Sequence, residues 1–223
     1  MTSRKNQPSA SSPSGSCTEA APGFRAIGAT PYLSPVPAVL VGCGDPQRGM
    51  RSNLITVAWT GICCSHPPML STSLRKERHS HGLIEHTREF TVNLANEDLL
   101  RPLDYCGVKS GRDHSKFEIL GLTAIPAPPL THAPALGESP AFLCCRVKDI
   151  LPLGSHDLFL ADILRVCVQE RYFTPSGSID EQAMKLVGYV HGKYRALGGE
   201  LGFFGFSIAG REALLRRMPG GSK

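Results

Sequence analysis

The 223-residue sequence lacks several motifs that identify common classes of enzyme. It contains no G-x-S-x-G motif of a serine hydrolase and no G-x-x-x-x-G-K-[ST] phosphate loop, so neither kind of site is expected. No C-x-x-C pair occurs among its eight cysteines, which argues against a zinc ribbon and a thioredoxin-type redox site. We therefore expect no metal centre and no protein nucleophile.

The sequence also lacks a long apolar run and a folded basic region. The longest stretch without Asp, Glu, Lys or Arg, 52–74, contains Pro67 and Pro68, which would break a membrane-spanning helix. The formal net charge is +5, but residues 24–210 carry a net charge of only +1. Because a nucleic-acid binder needs its basic excess on the face that meets phosphate, we expect neither nucleic acid nor membrane as a partner.

The cysteines indicate a reducing compartment. Cys63-Cys64 and Cys144-Cys145 are vicinal pairs, which are poor disulfide partners, and no signal peptide precedes them. Packing inside strands is the simpler interpretation of these thiols, and a redox role is the alternative. We expect a cytoplasmic protein with free thiols.

Composition divides the chain into one domain and two tails. Residues 1–23 are rich in Ser, Pro and Ala and bury too little apolar surface to offset the entropy of ordering, which predicts a disordered tail. A mitochondrial-type presequence is the alternative, although such a segment would contain more than the single Arg found here. Residues 24–210 are predicted to form the domain, and 211–223 a basic, solvated tail.

Hydrophobic patterns predict strands over most of the domain. Apolar or alternating segments lie at 38–44, 53–64, 69–74, 89–94, 141–150 and 157–172. Residues 152–155 are predicted to connect the last two strands as a hairpin. Gly42-Cys43-Gly44 opens like a dinucleotide-binding fingerprint, but Gln47 replaces the third glycine and a strand follows, so a hairpin turn is preferred. Many strands with few helices favour an antiparallel barrel or sandwich.

Three short helices are predicted between the strands. Ser80, Asn96 and Asp113 are candidate N-caps for helices over 81–88, 97–106 and 114–120. Gly121 suits the C′ position of the third helix. Residues 186–208 are rich in Gly and aromatic residues and are predicted to form loops with short elements.

Three neighbouring segments combine hydroxyl groups with guanidinium groups. They contain Asn53, Thr56 and Thr60, then Ser71, Ser73 and Arg75, and finally Arg78 and Ser80. Ser, Thr and Arg side chains beside a helix N-terminus are typical of a site for a phosphate dianion. The strand around Trp59 suits a flat aromatic ligand. The residues alone leave an equal alternative, in which the hydroxyls line an exposed strand face and the arginines are solvated.

In order and spacing, these segments resemble the flavin reductase-like, FMN-binding split-barrel proteins, most closely the flavoredoxin branch. The resemblance is carried by NLITVAWTGICCSHPPMLSTSLRKERHSHGLIEHTREFTVNLAN, DYCGVKSGRDHSKFEILGL, VKDILPLGSHDLFLADILRV and YVHGKYRALGGELGFFGFSI, and spans about residues 35–208. It implies a mainly β fold, a six-stranded antiparallel Greek-key split barrel with short peripheral helices. It also implies a homodimer that holds FMN non-covalently near the subunit interface.

The resemblance further implies roles for individual residues. Hydroxyl and Arg groups would hold the phosphate, and 58–60 would lie along the isoalloxazine ring. The implied cofactor-binding set is Asn53, Thr56, Ala58, Trp59, Thr60, Ser71, Ser73, Arg75, Arg78, Ser80, Ser110, Gly111 and Lys116. His156 matches the family position near the nicotinamide and is the single candidate catalytic residue. This chain has Gly-Ser-His-Asp where many flavin reductases have Gly-Asp-His, and a local hydrogen bond at the strand start is the alternative role for His156.

The implied function is an NAD(P)H-dependent oxidoreductase that reduces flavin or ferric complexes by hydride transfer to N5 of FMN. Because the cofactor carries this chemistry, no catalytic triad is required. Two alternatives remain: a flavoredoxin-type electron carrier reduced by a partner redox protein, and a non-catalytic FMN-binding module.

Overall fold

Twelve strands and four helices make up the regular structure of residues 20–217, the part of the chain that this computed structural model describes. The strands are β1 Val36–Pro37, β2 Val39–Asp45, β3 Met50–Val57, β4 Thr60–Ser65, β5 Pro68–Arg75, β6 Glu89–Leu94, β7 Ala124–Ile125, β8 Ala135–Leu136, β9 Ala141–Pro152, β10 His156–Val168, β11 Val187–Val190 and β12 Lys193–Ala196. The helices are α1 His79–Thr87, α2 Leu100–Val108, α3 Lys116–Leu120 and α4 Arg211–Arg217.

The chain divides into a short unit that ends at Leu33 and a main unit that begins at Ser34. All the strands and helices named above belong to the main unit. Most of the predicted disordered tail lies outside the described residues, which begin at residue 20, and that prediction stays untested. The predicted basic tail is described as far as Arg217 and forms α4 over that range. None of the helices within 20–217 is long and apolar enough to cross a membrane.

A seven-stranded antiparallel sheet, in the order β3-β2-β6-β9-β10-β5-β4, forms the centre of the main unit. Two small antiparallel sheets, β1-β11-β12 and β7-β8, accompany it. The predicted mainly β, antiparallel fold with short helices is therefore confirmed. The central sheet has seven strands rather than the six that the resemblance implied. No ladder between β3 and β4 closes it in the described part of the chain.

The seventh strand arises because the segment 53–64, predicted as one strand, is interrupted at Ala58-Trp59. These two residues connect β3 with β4, which lie at opposite edges of the sheet. Seven flat strands would hold the two edges about 29 Å apart, since neighbouring strands are spaced by about 4.8 Å. A two-residue link spans at most about 11 Å. The sheet must therefore curl until its edges nearly meet, and the register shifts within β10 ease the bend.

Alternate residues of the curled sheet form the main core. Side chains from six of the seven strands point inward, and Leu83 and Ile84 of α1 pack against them. A second cluster lies on the outer face of β2 and β3, where α2 and α3 cover Leu40 and Leu54. β2 is therefore buried on both faces, which explains its continuous apolar sequence.

The predicted helices are present with shifted starts. α1 begins at His79, so Ser80 lies inside its first turn rather than capping it. Asn96 does cap its helix: its side chain accepts a hydrogen bond from the Leu99 amide at 3.2 Å, although the first turn is a 3-10 helix ahead of α2. α3 begins at Lys116, so Asp113 is not its cap, and Gly121 adopts the predicted left-handed conformation at its end.

The Gly42–Gly44 segment belongs to a strand rather than to a turn. β2 continues through Asp45, and residues 46–49 make the connection to β3, so the hairpin itself is confirmed. Gly42 is needed for space: a Cβ there would lie 2.4 Å from both the Pro134 carbonyl oxygen and the Thr91 hydroxyl.

Gly42→Ala should therefore destabilise the fold by about 1–3 kcal/mol, because overpacking forces the backbone of a neighbouring segment to move. Chemical denaturation of the variant measures the effect. Gly61→Ala is the matched control, because a Cβ at that exposed strand position meets no atom within 4 Å. Equal unfolding free energies for the two variants would contradict the close approach at Gly42.

Candidate functional site

A cavity of about 260 Å³ opens beside the link between β3 and β4. We call it the Trp59 cavity. Its wall is built from the end of β3 and the link, the end of β5, the loop before α1, the end of α2 and the start of β10. The lining residues are Ile55, Thr56, Val57, Ala58, Trp59, Ser73, Leu74, Arg75, Arg78, Gly107 and His156.

Strand register brings the polar residues of this wall together. Successive side chains of a strand alternate between its faces, so Ser73 and Arg75 of β5 point to the same side. Antiparallel pairing with β10 sets His156 directly opposite Arg75. The Ser73 amide donates a hydrogen bond to the Trp59 carbonyl oxygen at 2.9 Å, which ties the link to β5.

An aromatic pair forms one side of the Trp59 cavity. The ring centroids of Trp59 and His156 are 4.7 Å apart, with the planes tilted by 41°. Trp59 is 47% exposed, a large fraction for the single tryptophan of the chain. His156 Nδ1 lies 2.9 Å from the Ser155 hydroxyl. The imidazole therefore has the local hydrogen bond considered from the sequence and also lines the cavity.

A second cavity, of about 410 Å³, shares Ile55 and Arg78 with the first. We call it the Ser110 cavity. The loop between α2 and α3 and the start of α1 form most of its wall. Its lining residues are Asn53, Ile55, Glu77, Arg78, His79, Ser80, Val108, Lys109, Ser110, Gly111, Arg112, Asp113 and Lys116.

Hydrogen bonds hold α2 and α1 against β3 at the boundary of the two cavities. The Thr56 hydroxyl donates to the Leu103 carbonyl oxygen, and the Arg78 guanidinium donates to the Gly107 carbonyl oxygen. Asn53 Nδ2 donates to the Ser80 hydroxyl at 2.8 Å, and both side chains are buried. These contacts hold the polar groups of β3 and α1 in place at the cavity walls.

Gly111 allows its loop to pass close to Asn53. A Cβ at this glycine would lie 2.2 Å from Asn53 Oδ1, far inside van der Waals contact. That oxygen is buried and has no hydrogen-bond partner in the structure. A buried acceptor without a hydrogen-bond donor lowers the stability of the fold. Asn53 Oδ1 therefore marks a position at the Ser110 cavity where a donor group would be stabilising.

Lys116 is buried rather than exposed to the cavity opening. Its ammonium group donates to the Leu54 carbonyl oxygen at 2.6 Å and to the Cys106 carbonyl oxygen at 2.9 Å. Burial lowers the pKa of Lys116, as expected for a cation moved out of water. The lysine therefore ties β3, α2 and α3 together beneath the Ser110 cavity.

Burial raises the pKa of the neighbouring Cys43 and Cys106 thiols to about 11, so they stay protonated at neutral pH.

The Ser110 cavity is electropositive. The pKa of His79 is lowered first by burial and then by the nearby cations Arg112, Lys116 and Arg51. Hydroxyl groups, guanidinium groups and the first amides of a nine-residue helix together suit a phosphate group. The exposed indole beside them suits a flat ring.

Twelve of the fourteen residues singled out from the sequence line one of the two cavities. The Trp59 cavity collects Thr56, Ala58, Trp59, Ser73, Arg75, Arg78 and His156, and the Ser110 cavity adds Asn53, Ser80, Ser110, Gly111 and Lys116. Thr60 and Ser71 line neither. The Thr60 hydroxyl is paired instead with the Thr72 hydroxyl at 2.8 Å, and Ser71 lies two residues farther along β5 from the cavity.

Sequence reasoning did not identify Gly107, although it borders the Trp59 cavity. A Cβ there would lie 3.3 Å from Thr56 Cβ, so the small residue permits the close contact of α2 with β3. A lone glycine near a helix end gives no sequence signal that distinguishes this role from a helix stop.

Comparisons with known proteins identify relatives whose names refer to flavin or FMN. The family model described as "Flavin reductase like domain" matches residues 32–198. Flavoredoxin of Desulfovibrio vulgaris (Miyazaki F) is 31% identical, with a TM-score of 0.77 over 83% of this chain and 100% of that chain. The FMN-binding protein from Thermus thermophilus shares the fold, with 23% identity and a TM-score of 0.67 over 81% of this chain and 98% of that chain.

Two relatives carry the names of reductases. The NADPH-flavin oxidoreductase of Streptomyces viridifaciens is 29% identical over 120 residues, which cover 53% of this chain and 60% of that protein. The reductase component of 4-nitrophenol 4-monooxygenase/4-nitrocatechol 2-monooxygenase from Rhodococcus opacus is 31% identical over 109 residues, 49% of this chain and 55% of that protein. The match thus spans less than two thirds of the length of either reductase.

The lowered pKa of His79 gives a test of the charge at the Ser110 cavity. In the folded protein the imidazole should titrate below its ordinary value of 6.5, because burial and neighbouring cations both disfavour its charged form. Arg112→Gln should raise this pKa part of the way, since burial remains. The pH dependence of the His79 ring resonances, followed by NMR, measures both. A His79 pKa at or above 6.5, or one that Arg112→Gln leaves unchanged, would contradict the electrostatic description.

Proposed function

The chain belongs to the flavin reductase-like family, and on that basis we propose that it is an FMN-dependent oxidoreductase that takes electrons from NADH or NADPH. One observation supports the proposal above the others. The Trp59 cavity brings the hydroxyl of Ser73 and the guanidinium groups of Arg75 and Arg78 to the same wall as an exposed indole. Phosphate-binding and ring-binding groups are thus within reach of one ligand.

The residues present fit FMN. Ser73, Arg75, Arg78 and Ser80 are donors suited to a phosphate dianion, and Arg can form two parallel hydrogen bonds with it. The backbone of Ala58 and Trp59 lies beyond the last β3 pairing, Val57 with Val39, so its polar groups are outside that ladder. Asn53 Oδ1, buried and without a partner, is an acceptor suited to a ligand hydroxyl.

Bound FMN would supply the redox chemistry, since flavin accepts a hydride from a reduced nicotinamide and passes the electrons on. The role of the chain's own residues is to bind and orient the ligands. Trp59 and His156 form an aromatic edge against which a second planar ring can be positioned. Hydrogen bonds to α2 hold Thr56 and Arg78 in place, so little reorganisation is needed when the ligand binds.

A flavoredoxin-type electron carrier is the second candidate. The observation that favours it is the 31% identity with flavoredoxin over that protein's whole length. In this role FMN would remain bound and a partner redox protein would deliver the electrons. A non-catalytic FMN-binding module is the third candidate, and it requires the same binding residues without an approach for a reductant.

A homodimer is part of the proposal. The described residues 201–208 expose Leu201, Phe204 and Ile208 almost completely. Exposed apolar patches commonly mark protein interaction sites, so this segment supports association with a second copy. We also propose a cytoplasmic location, which the seven described cysteines support as free thiols. Light scattering coupled to gel filtration tests the dimer directly.

The proposed activity is tested by visible spectroscopy of the purified protein loaded with FMN and desalted. We expect a retained flavin spectrum that bleaches on anaerobic addition of NADH or NADPH. A retained spectrum that resists both nucleotides but bleaches with a reduced partner protein would reject the reductase in favour of the carrier. Loss of flavin on desalting would make FMN a loosely held substrate, and steady-state FMN reduction would then decide the activity.

Arg75→Ala should weaken FMN binding by about 1.5–3 kcal/mol, the range for a hydrogen bond to a charged group. The same substitution should weaken the binding of riboflavin, which lacks the phosphate, far less. Titration of each flavin by fluorescence or calorimetry measures the difference. Arg101→Ala is the matched control, because this exposed arginine of α2 lines neither cavity. Equal losses for FMN and riboflavin would show that Arg75 does not bind the phosphate.

A further inference from the structure

A buried ionisable pair joins α1 to β10 beneath the Trp59 cavity. His81 Nε2 lies 2.8 Å from Asp157 Oδ2, and the two side chains are 8% and 10% exposed. The imidazole also packs edge-on against Phe159, with ring centroids 5.1 Å apart. Neither residue lines the Trp59 cavity or the Ser110 cavity, so the proposed function leaves both unexplained.

Each member of the pair is the immediate neighbour of a site residue. Ser80, which precedes His81, lies in the wall of the Ser110 cavity, and His156, which precedes Asp157, lies in the wall of the Trp59 cavity. Side chains at successive strand positions point to opposite faces. His156 therefore meets the cavity while Asp157 points inward to α1, and one hydrogen bond connects the two site-bearing segments.

The same first turn of α1 has a second attachment. Asn53 of β3 donates to the Ser80 hydroxyl at 2.8 Å. The N-terminus of α1 is thus fixed at one position to β3 and at the next to β10. Within residues 20–217 no side chain caps this helix N-terminus, and these two bonds add to the contact of Arg78 with Gly107 in locating it.

Other charged groups act on the pair from both sides. Lys76 Nζ, in the loop before α1, lies 3.2 Å from Asp157 Oδ1, and Glu85 Oε2, one turn along α1, lies 3.9 Å from His81 Nδ1. Burial acts to raise the pKa of Asp157, but the hydrogen bonds from His81 and Lys76 outweigh it and leave the pKa below its ordinary value. Asp157 is therefore an anion at neutral pH that accepts from His81 Nε2–H.

A buried pair of this kind is weak support for stability, because desolvation offsets most of the attraction. On one side the pair adjoins the main core, to which Phe159 belongs. Well-packed apolar residues would serve stability at least as well there. What the pair adds is direction, since a hydrogen bond fixes both the distance and the orientation of the segments that it joins.

We propose that His81 and Asp157 are positioning residues, which hold the phosphate-binding first turn of α1 in a set position against the His156 end of β10. The inference rests on the proposed function, because it assumes that this turn meets the FMN phosphate. The pair sets the spacing between the phosphate end of the site and the face where His156 and Trp59 lie. Loss of the pair should therefore affect recognition of the phosphate more than recognition of the ring.

The test compares FMN with riboflavin on three variants of the full chain. His81→Leu removes the hydrogen bond while keeping an apolar volume in the core. His81→Gln should rescue the wild-type behaviour, because its amide nitrogen can occupy nearly the position of His81 Nε2 and donate to Asp157. Leu83→Ala is the matched control, because it truncates a buried side chain of the same helix and retains both hydrogen-bonding groups of the pair.

We expect His81→Leu to weaken FMN binding by about tenfold, the scale of one hydrogen bond to a charged group, and riboflavin binding by less than about threefold. His81→Gln should return the ratio of the two affinities to within about twofold of wild type. Leu83→Ala should lower the melting temperature without changing that ratio. If His81→Leu does not fold, Asp157→Ala, which removes the acceptor, replaces it with the same expected fall in the ratio.

The possible results distinguish a failure of this inference from a failure of the proposed function on which it rests. A wild-type protein that does not bind FMN would overturn the proposed function, and this inference with it. A wild-type protein that prefers FMN to riboflavin, with an unchanged preference in His81→Leu, would overturn the positioning role alone. An equal change of the ratio in Leu83→Ala would show that the effect is general destabilisation, which also overturns it.

Discussion

The link Ala58-Trp59 between the two edges of the seven-stranded sheet is the constraint on which the rest of the structure depends. Two residues cannot span a flat sheet of that width, so the sheet curls and its edges approach without pairing. The Trp59 cavity lies beside this link, where residues of β3 and β5 line it. The same constraint leaves an indole at the cavity wall and places backbone polar groups of the link beyond the β3 ladder.

Buried polar contacts hold the helices around this opening. Lys116 donates to carbonyl oxygens of β3 and α2, and Asn53 donates to Ser80 of α1. Each of these groups is costly to bury unless it is hydrogen-bonded, so each contact specifies one arrangement of its segments. Donors held in place in this way suit electrostatic stabilisation of an anion, because they need little reorganisation.

Local patterns predicted the strands well and the long-range contacts poorly. Alternation located β5, one face of which is buried, and β6, whose polar residues Thr91 and Asn93 are buried and hydrogen-bonded. The turn residues 152–155 located the hairpin between β9 and β10. The break at Ala58-Trp59 carries no Gly or Pro signal, and it follows from sheet closure, a property of the whole fold. The residue type of Ser80 predicts a cap, yet Ser80 lies inside the helix, where its hydroxyl accepts a hydrogen bond from Asn53.

The buried residues show the same limit. The resemblance implies that Lys116 binds the cofactor together with the neighbouring loop. No feature of the sequence predicts the pair of His81 with Asp157. Nothing near either residue indicates that its partner lies 62 or 76 positions away in the chain. The hydroxyl and Arg segments supplied most of the candidate residues but left an exposed strand face equally open. The resemblance to a family favoured the binding site and added residues such as Ser110 and His156.

The most direct test of the account is a crystal structure of the protein with FMN bound. The account predicts the isoalloxazine ring along Ala58 and Trp59, with the phosphate among Ser73, Arg75, Arg78 and Ser80. FMN bound at a site away from the Trp59 and Ser110 cavities, or with its phosphate directed away from these donors, would contradict it.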